Sequence, residues 1–239
     1  MNNRRMGEAF ILGVLLCIGL VSLGYLISGS IIRIKALNRT VTVKGLSERE
    51  VPTNIAIWPI KFNEADNDLN DLFSRIQRNN SLIIKFLKNN SIKDKEISIS
   101  VPAIMDRQAE GYTDPNRIKF RYSGSSIITV YTDNVDSVRN TMKKLVELGK
   151  QGIAISGQDY NSKTEFLFTK LNQIKPEMIE EATKNARKVA ERFAKDSESS
   201  LGKIRHAKQG QFSINNRDSN TPYIKKVRVV STVEYYLSD

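Results

Sequence analysis

The sequence predicts an α+β fold in which antiparallel strand pairs alternate with three helices, preceded by one N-terminal transmembrane helix. Three observations carry this expectation. Residues 9–32, AFILGVLLCIGLVSLGYLISGSII, contain no charge. Beyond them, segments with an apolar residue at every second position come in pairs, and the stretches between the pairs keep helical apolar spacing. Strand pairs separated by single helices suit antiparallel sheets with helices laid on one face.

In chain order, residues 1–8 form a short basic start with Arg4 and Arg5. At about 1.5 Å rise per residue the uncharged stretch spans roughly 36 Å as a helix, more than the ~30 Å of a bilayer's hydrocarbon core. It reads as a retained signal-anchor over 9–32. The competing reading is a cleaved signal peptide, with Ser28-Gly29-Ser30 as small residues for cleavage, which would leave a soluble periplasmic protein. Length favours the anchor. Basic residues flank both ends, Arg4 and Arg5 before and Arg33, Lys35, Arg39 and Lys44 after, so charge leaves the orientation open and by itself even favours a cytoplasmic folded part. Residues 33–39 are a linker, and 40–239 one folded domain.

The domain opens with VTVKGLSEREVPTNIAIWPIKF, two strands with Gly45 and Pro52 marking the turn. A helix follows over about 68–89, with Leu69, Leu72, Phe73, Ile76, Ile83, Ile84 and Leu87 in helical register. Ile97, Ile99 and Val101 alternate as a strand, and a loop over 106–116 with Gly111 and Pro115 leads into the strand RIKFRYSGSSIITVYT. Asp133 or Asn134 can cap a second helix carrying Val135, Val138, Met142 and Leu145, ending at Gly149 or Gly152. Residues 153–160 and 163–169 read as another strand pair. The third helix starts near Pro176 and places Ala182, Ala186, Ala190 and Ala194 at four-residue intervals, a packing ridge for close approach, with Met178, Val189 and Phe193 supplying bulk beside it. Strands over about 203–214 and 225–237, around the turn NNRDSNTPY, close the chain.

The net charge is +11, from 37 Lys and Arg against 26 Asp and Glu. Anionic lipid, nucleic acid and acidic envelope partners are all electrostatically compatible with that excess. One cysteine, Cys17, and one histidine, His206, exclude a disulfide within the chain and leave no basis for a Cys/His zinc site. His206 reads as a surface imidazole. No Gly-x-Ser-x-Gly elbow occurs, and the serines of Tyr122-Ser123-Gly124-Ser125-Ser126 sit in a strand pattern. The carboxylate pairs Glu180-Glu181 and Asp66-Asp68 lie near helix N-termini, where the helix dipole accounts for them. The sequence gives no catalytic residue, no metal site and no cofactor, and an enzyme is not expected.

The one feature that stands out is the C-terminal hairpin. Between residues 201 and 230, Lys203, Arg205, Lys208, Arg217, Lys225, Lys226 and Arg228 face a single acid, Asp218. With Phe212 and Tyr223 interleaved, this is a candidate polyanion or nucleic-acid surface. The alternative is a solvated rim turned to anionic head groups or an acidic partner. Beside a membrane anchor, lipid head groups are the nearer polyanion, so nucleic acid is the lesser expectation.

Taken together, VKGLSEREVPTNIA with Gly45, Pro52 and Ala56, RYSGSSIITVYT, GKQGIAISG around Gly149 and Gly152, and EEATKNARKVAERFAKDSESSLGKI carry a resemblance. In the last piece Glu181, the four alanines, Leu201 and Gly202 occupy matching positions. From about Thr40 to Leu237 the chain resembles the SIMPL-domain family of bacterial exported proteins, which includes periplasmic and outer-membrane immunogenic antigens. It departs from the family at Thr53, where aspartate is common, and at Glu198, where glycine is common. The resemblance implies a cytoplasmic N-terminus, residues 40–239 on the extracytoplasmic side of the inner membrane, no established reaction, and a loose link to envelope stress. Some relatives look like builders of ring-like or channel-like oligomers, so a homo-oligomer or an envelope protein partner is expected.

Overall fold

The computed structural model describes residues 13–27, 39–109, 119–156 and 162–238. Residues 13–27 are helical (α1), with every side chain exposed. Among the described residues no helix is long and apolar enough to cross a membrane. The ends of the uncharged stretch, the basic flanks Arg4, Arg5, Arg33 and Lys35, and the linker over 33–38 lie outside the described residues.

The strands and helices that follow are β1 (Thr40–Pro52), β2 (Ile55–Asp66), α2 (Leu69–Asn89), β3 (Ile97–Ile99), β4 (Ala103–Asp106), β5 (Tyr122–Thr132), α3 (Val135–Met142), α4 (Val146–Lys150), β6 (Glu165–Leu167), α5 (Leu171–Asp196), β7 (Ser200–Gln209), β8 (Ser213–Asn216) and β9 (Ile224–Ser238). They group into two compact units. One takes the chain up to Glu48, Lys175–Ser213 and the chain from Arg228 onward; the other takes Arg49–Ile174 and Ile214–Val227.

In the second unit a sheet of order β3-β5-β2-β6, with β4 also paired to β5, is built on the antiparallel ladder from Ala56↔Thr132 to Asp66↔Tyr122. Strand alternation turns Ala56, Trp58, Ile60 and Phe62 to one face, where they pack with Leu72, Ile76, Ile83 and Leu87 of α2. Burying each large side chain of this set contributes about 1.5–3 kcal/mol. Polar atoms at this interface are paired: Ser126 Oγ donates to Asn80 Oδ1 at 3.0 Å and Asn79 Nδ2 to Glu64 Oε1 at 2.6 Å. Asp68 starts α2 by accepting from the Asn70 and Asp71 N–H groups, satisfying two donors the helix leaves open.

In the first unit β1, β9 and β7 lie side by side in one sheet. Odd-numbered residues of β9 from Val227 to Tyr235 are buried. Val43, Val233 and Tyr235 pack with Ala186 and Ala190 of α5, and Val41 and Leu201 close the cluster. A Cβ on Gly45 would lie 1.9 Å from the Ala182 carbonyl oxygen and 2.4 Å from the Ala186 nitrogen. Strand backbone therefore rests directly on helix backbone. Gly45 serves this approach and does not turn the chain: β1 runs through it to Pro52, strand structure breaks only at Thr53-Asn54, and β2 joins a different sheet, so the expected pairing of the two strands is not formed. The contact is reinforced by Ser47 Oγ donating to Glu181 Oε2 at 2.8 Å and Asn185 Nδ2 to the Leu46 carbonyl at 2.9 Å. The Ser231 and Tyr235 hydroxyls are buried here with no hydrogen-bond partner among the described residues, at a cost of about 1–3 kcal/mol each.

Several expectations need correction. The second helix is two, because the Lys144 and Leu145 amides bond three residues back, to Thr141 and Met142, and tighten the chain between α3 and α4. With α1 set aside the described chain has four helices, not three. The strand pair over 153–169 reduces to β6 and a single bridge, Ile155↔Phe62, with 157–161 outside the described residues. Residues 110–118, including Gly111 and Pro115, also lie outside them. α5 begins at Leu171 and carries Pro176 within it. Met178 is buried as expected, but Val189 and Phe193 are 38% and 55% exposed.

α2, α4 and α5 end in one way. The amides of Ser91 and Ile92 bond the carbonyls of Lys88 and Leu87, those of Gly152 and Ile153 bond Gly149 and Leu148, and those of Glu198 and Ser199 bond Lys195 and Ala194. This double closure requires a left-handed residue after the cap, and φ is 69° at Ser91, 85° at Gly152 and 53° at Glu198. Glu198, where the resembled family has glycine, thus adopts the strained conformation, at about 1–2 kcal/mol.

Glu198→Gly is expected to stabilise the protein by about 1 kcal/mol, since relief of strain outweighs the added freedom of the unfolded chain, and thermal unfolding will show the midpoint rise by a few degrees. Ala186→Leu is expected to cost about 1–3 kcal/mol by forcing α5 off the sheet, and an unchanged melting curve would contradict this packing.

Candidate functional site

The basic residues singled out in the sequence do not form one hairpin. Lys203, Arg205 and Lys208 lie on β7, Arg228 on β9, Arg217 in the turn after β8, and Lys225 and Lys226 at the start of β9. β7 does not pair with β8; both pair with β9, β7 in the register His206↔Glu234 and Lys208↔Thr232. The turn closes between β8 and β9, where the Arg217 amide bonds the Ile224 carbonyl at 2.9 Å.

Their charges are also differently engaged. Arg205 pairs with Glu234 at 3.0 Å and Arg217 with both Asp218 at 3.0 Å and Glu50 at 3.4 Å. Lys225 donates to Asn216 Oδ1 and is partly shielded from solvent; burial lowers its pKa, as does nearby Lys163, while Glu165 opposes the shift. Lys203, Lys208 and Arg228 are exposed and carry no ion pair among the described residues. Lys203, Arg205 and Lys208 stand on an edge strand, where charged side chains discourage pairing with another strand.

The aromatic residues are engaged as well. The Arg139 guanidinium lies 3.6 Å over the Tyr223 ring, which meets Phe166 edge-on at 6.2 Å between centroids. Tyr223 is therefore part of a packed cluster and not a free stacking platform, while Phe212 carries the ammonium of Lys175 at 6.0 Å. The alanine ridge is wholly interior: Ala182, Ala186, Ala190 and Ala194 are at most 2% exposed. It packs α5 on its own sheet and offers no surface to another molecule.

His206 is exposed on β7, and Ser126 is buried and bonded to Asn80. Among the described residues no group of His, Cys, Asp and Glu side chains could hold a metal ion. Backbone amides at Asp68 and Asn67 hold the Asp66 carboxyl below its usual range, with Arg75 adding to the effect against some desolvation. Arg121 grips Asp106 through Nε and Nη2, at 3.1 and 2.9 Å to Oδ2, and lowers its pKa. These pairings fix β4 and the start of α2, which is structural work. The Asp106–Arg121 pair went unpredicted because neither residue is part of a local motif.

The family model of SIMPL, a protein of unknown function (DUF541), matches residues 41–234. The chain belongs to the SIMPL family. The match begins inside β1 and ends inside β9, so the SIMPL unit takes in residues of both compact units. No curated protein matches the chain.

Asp218 organises the NNRDSNTPY turn of this SIMPL protein: its carboxylate accepts from the Thr221 hydroxyl, from Arg217 Nε, and from the Asn220 and Thr221 amides. The Thr221 hydroxyl and Arg217 are the leading causes that lower its pKa from 3.8 to about 2. A depressed folded pKa means the turn's stabilisation is present above about pH 4 and lost as pH falls toward about pH 2. An NMR titration is expected to show the Asn220 and Thr221 amide signals moving together in that window, and to show no such transition in Asp218→Asn.

Proposed function

We propose that the chain is a membrane-anchored, non-enzymatic protein of the bacterial cell envelope, with residues 40–239 on the extracytoplasmic side, acting by self-assembly or by binding an envelope partner. The observation that carries this reading is β7. It is exposed along nearly its whole length, with Ile204 at 48%, and it pairs with β9 alone among the described strands. Such an edge leaves a row of backbone donors and acceptors open to another strand.

Charge selects what the edge accepts. Two copies of β7 placed together would oppose Lys203, Arg205 and Lys208 to themselves, which is unfavourable. The complementary surface is acidic, so an acidic envelope partner, or a head-to-tail contact with a different face of a second copy, suits the edge better than a symmetric contact. The uncharged stretch over 9–32 supports the anchor, and confinement to a bilayer raises the effective concentration of copies.

The solution mass of the detergent-purified full-length chain tests assembly: a species larger than a monomer is expected, shifting toward monomer at high salt, and a monomer at every concentration would remove the self-assembly arm. A reporter fused after Asp239 tests placement; activity confined to the cytoplasm would overturn it.

A further inference from the structure

Beside the turn that closes β8 onto β9, the second unit holds a cavity of about 670 Å³, within the range of small-molecule sites. Two lysines from distant parts of the sequence line it, Lys163 before β6 and Lys225 at the start of β9, together with one carboxylate, Glu165. Further polar lining comes from Ser219 and Asn220, whose side chains have no partner among the described residues. Met142, Phe166 and Pro222 give the opposite character, an apolar wall.

We infer that this cavity is a binding site for a small organic monoanion, a carboxylate with an apolar body, held by Lys163 and Lys225 at its charged end and by the Met142, Phe166 and Pro222 wall along its length. The charge count sets the valence: two lysines against Glu165 leave one net positive charge, which a single carboxylate neutralises and a dianion would overshoot while facing Glu165. The donor count agrees. An ammonium has three N–H groups, and Lys225 commits one of them to Asn216 Oδ1, leaving donors for a ligand. Burial is the leading cause that disfavours the Lys225 ammonium, with Glu165 opposing it and Lys163 adding to it more weakly, and a bound anion beside the two lysines offsets that burial. Asn216 and Asp218 hold the wall on the β9 side: the first fixes the lysine, and the second ties down the turn that carries Ser219 and Asn220. This inference is independent of assembly through β7, since no β7 residue lines the cavity.

The test is equilibrium dialysis of radiolabelled phenylacetate against the purified full-length chain, with circular dichroism of each variant to establish that it is folded. Saturable binding is expected with one ligand per chain. Affinity should fall by about tenfold or more in Lys225→Met and also in Lys163→Gln, because each removes a charge-assisted hydrogen bond, and should rise in Glu165→Gln. Phenethyl alcohol and phenethylamine should not compete, and inorganic phosphate should compete only weakly. Absence of saturable binding, undiminished binding in both folded lysine variants, equal competition by the alcohol, or full displacement by an equal concentration of phosphate would each overturn the assignment.

Discussion

A helix can rest on a sheet at backbone distance only where the strand carries no side chain and the helix none larger than a methyl, and the first unit is organised around that condition. Gly45 empties the strand at the point where Ala182 and Ala186 present α5 backbone. The core that results is small, Val43, Ala186, Ala190, Val233 and Tyr235, and its cohesion comes from proximity more than from bulk. Proximity also brings Ser47 within reach of Glu181 and Asn185 within reach of the Leu46 carbonyl, so polar bonds fasten the same contact. Centred on β1 and β9, the helix leaves most of β7 uncovered. The exposed edge and the tight core are two results of one geometry.

The second unit obeys a different rule. Its sheet is filled by large residues of β2, β5 and α2, and its precision lies in how the helices stop. At α2 and α4 the residue after the left-handed position is an isoleucine, Ile92 or Ile153, at most 2% exposed. The closure that ends each helix thus also delivers an anchor into the core. At α5, in the first unit, that position is Ser199, and the chain passes into β7 without such an anchor.

Much of this was legible in residue order because local periodicity decides it. α2, β1, β2, β5 and the alanine ridge follow from spacing alone as elements, and their burial agrees with it, but spacing could not show that β1 and β2 join different sheets and do not pair. The break between α3 and α4 was not legible, since no glycine or proline marks Lys143-Lys144-Leu145, and the tightening is written in backbone bonds. Gly45 was misread for the opposite reason: glycine suggests a turn, yet here the demand came from α5, distant in sequence. The basic segment shows the same limit. Composition gathered its lysines and arginines, but pairing to β9 distributed them, and Glu50 and Glu234, from outside the run, engaged Arg217 and Arg205. Lys163 escaped notice because only folding brings it beside Lys225.

The Leu237 amide bonds the Arg39 carbonyl at 2.8 Å, so the last strand of the chain is fastened at the residue where the N-terminal segment enters β1. Mechanical load applied through that segment along the strand direction would enter β1 lengthwise. Its hydrogen bonds to β9 would then be strained together in shear, not opened singly from one end. A tether attached there pulls against the whole ladder, and the domain would resist extraction in proportion to strand length instead of to the strength of its weakest terminal bond.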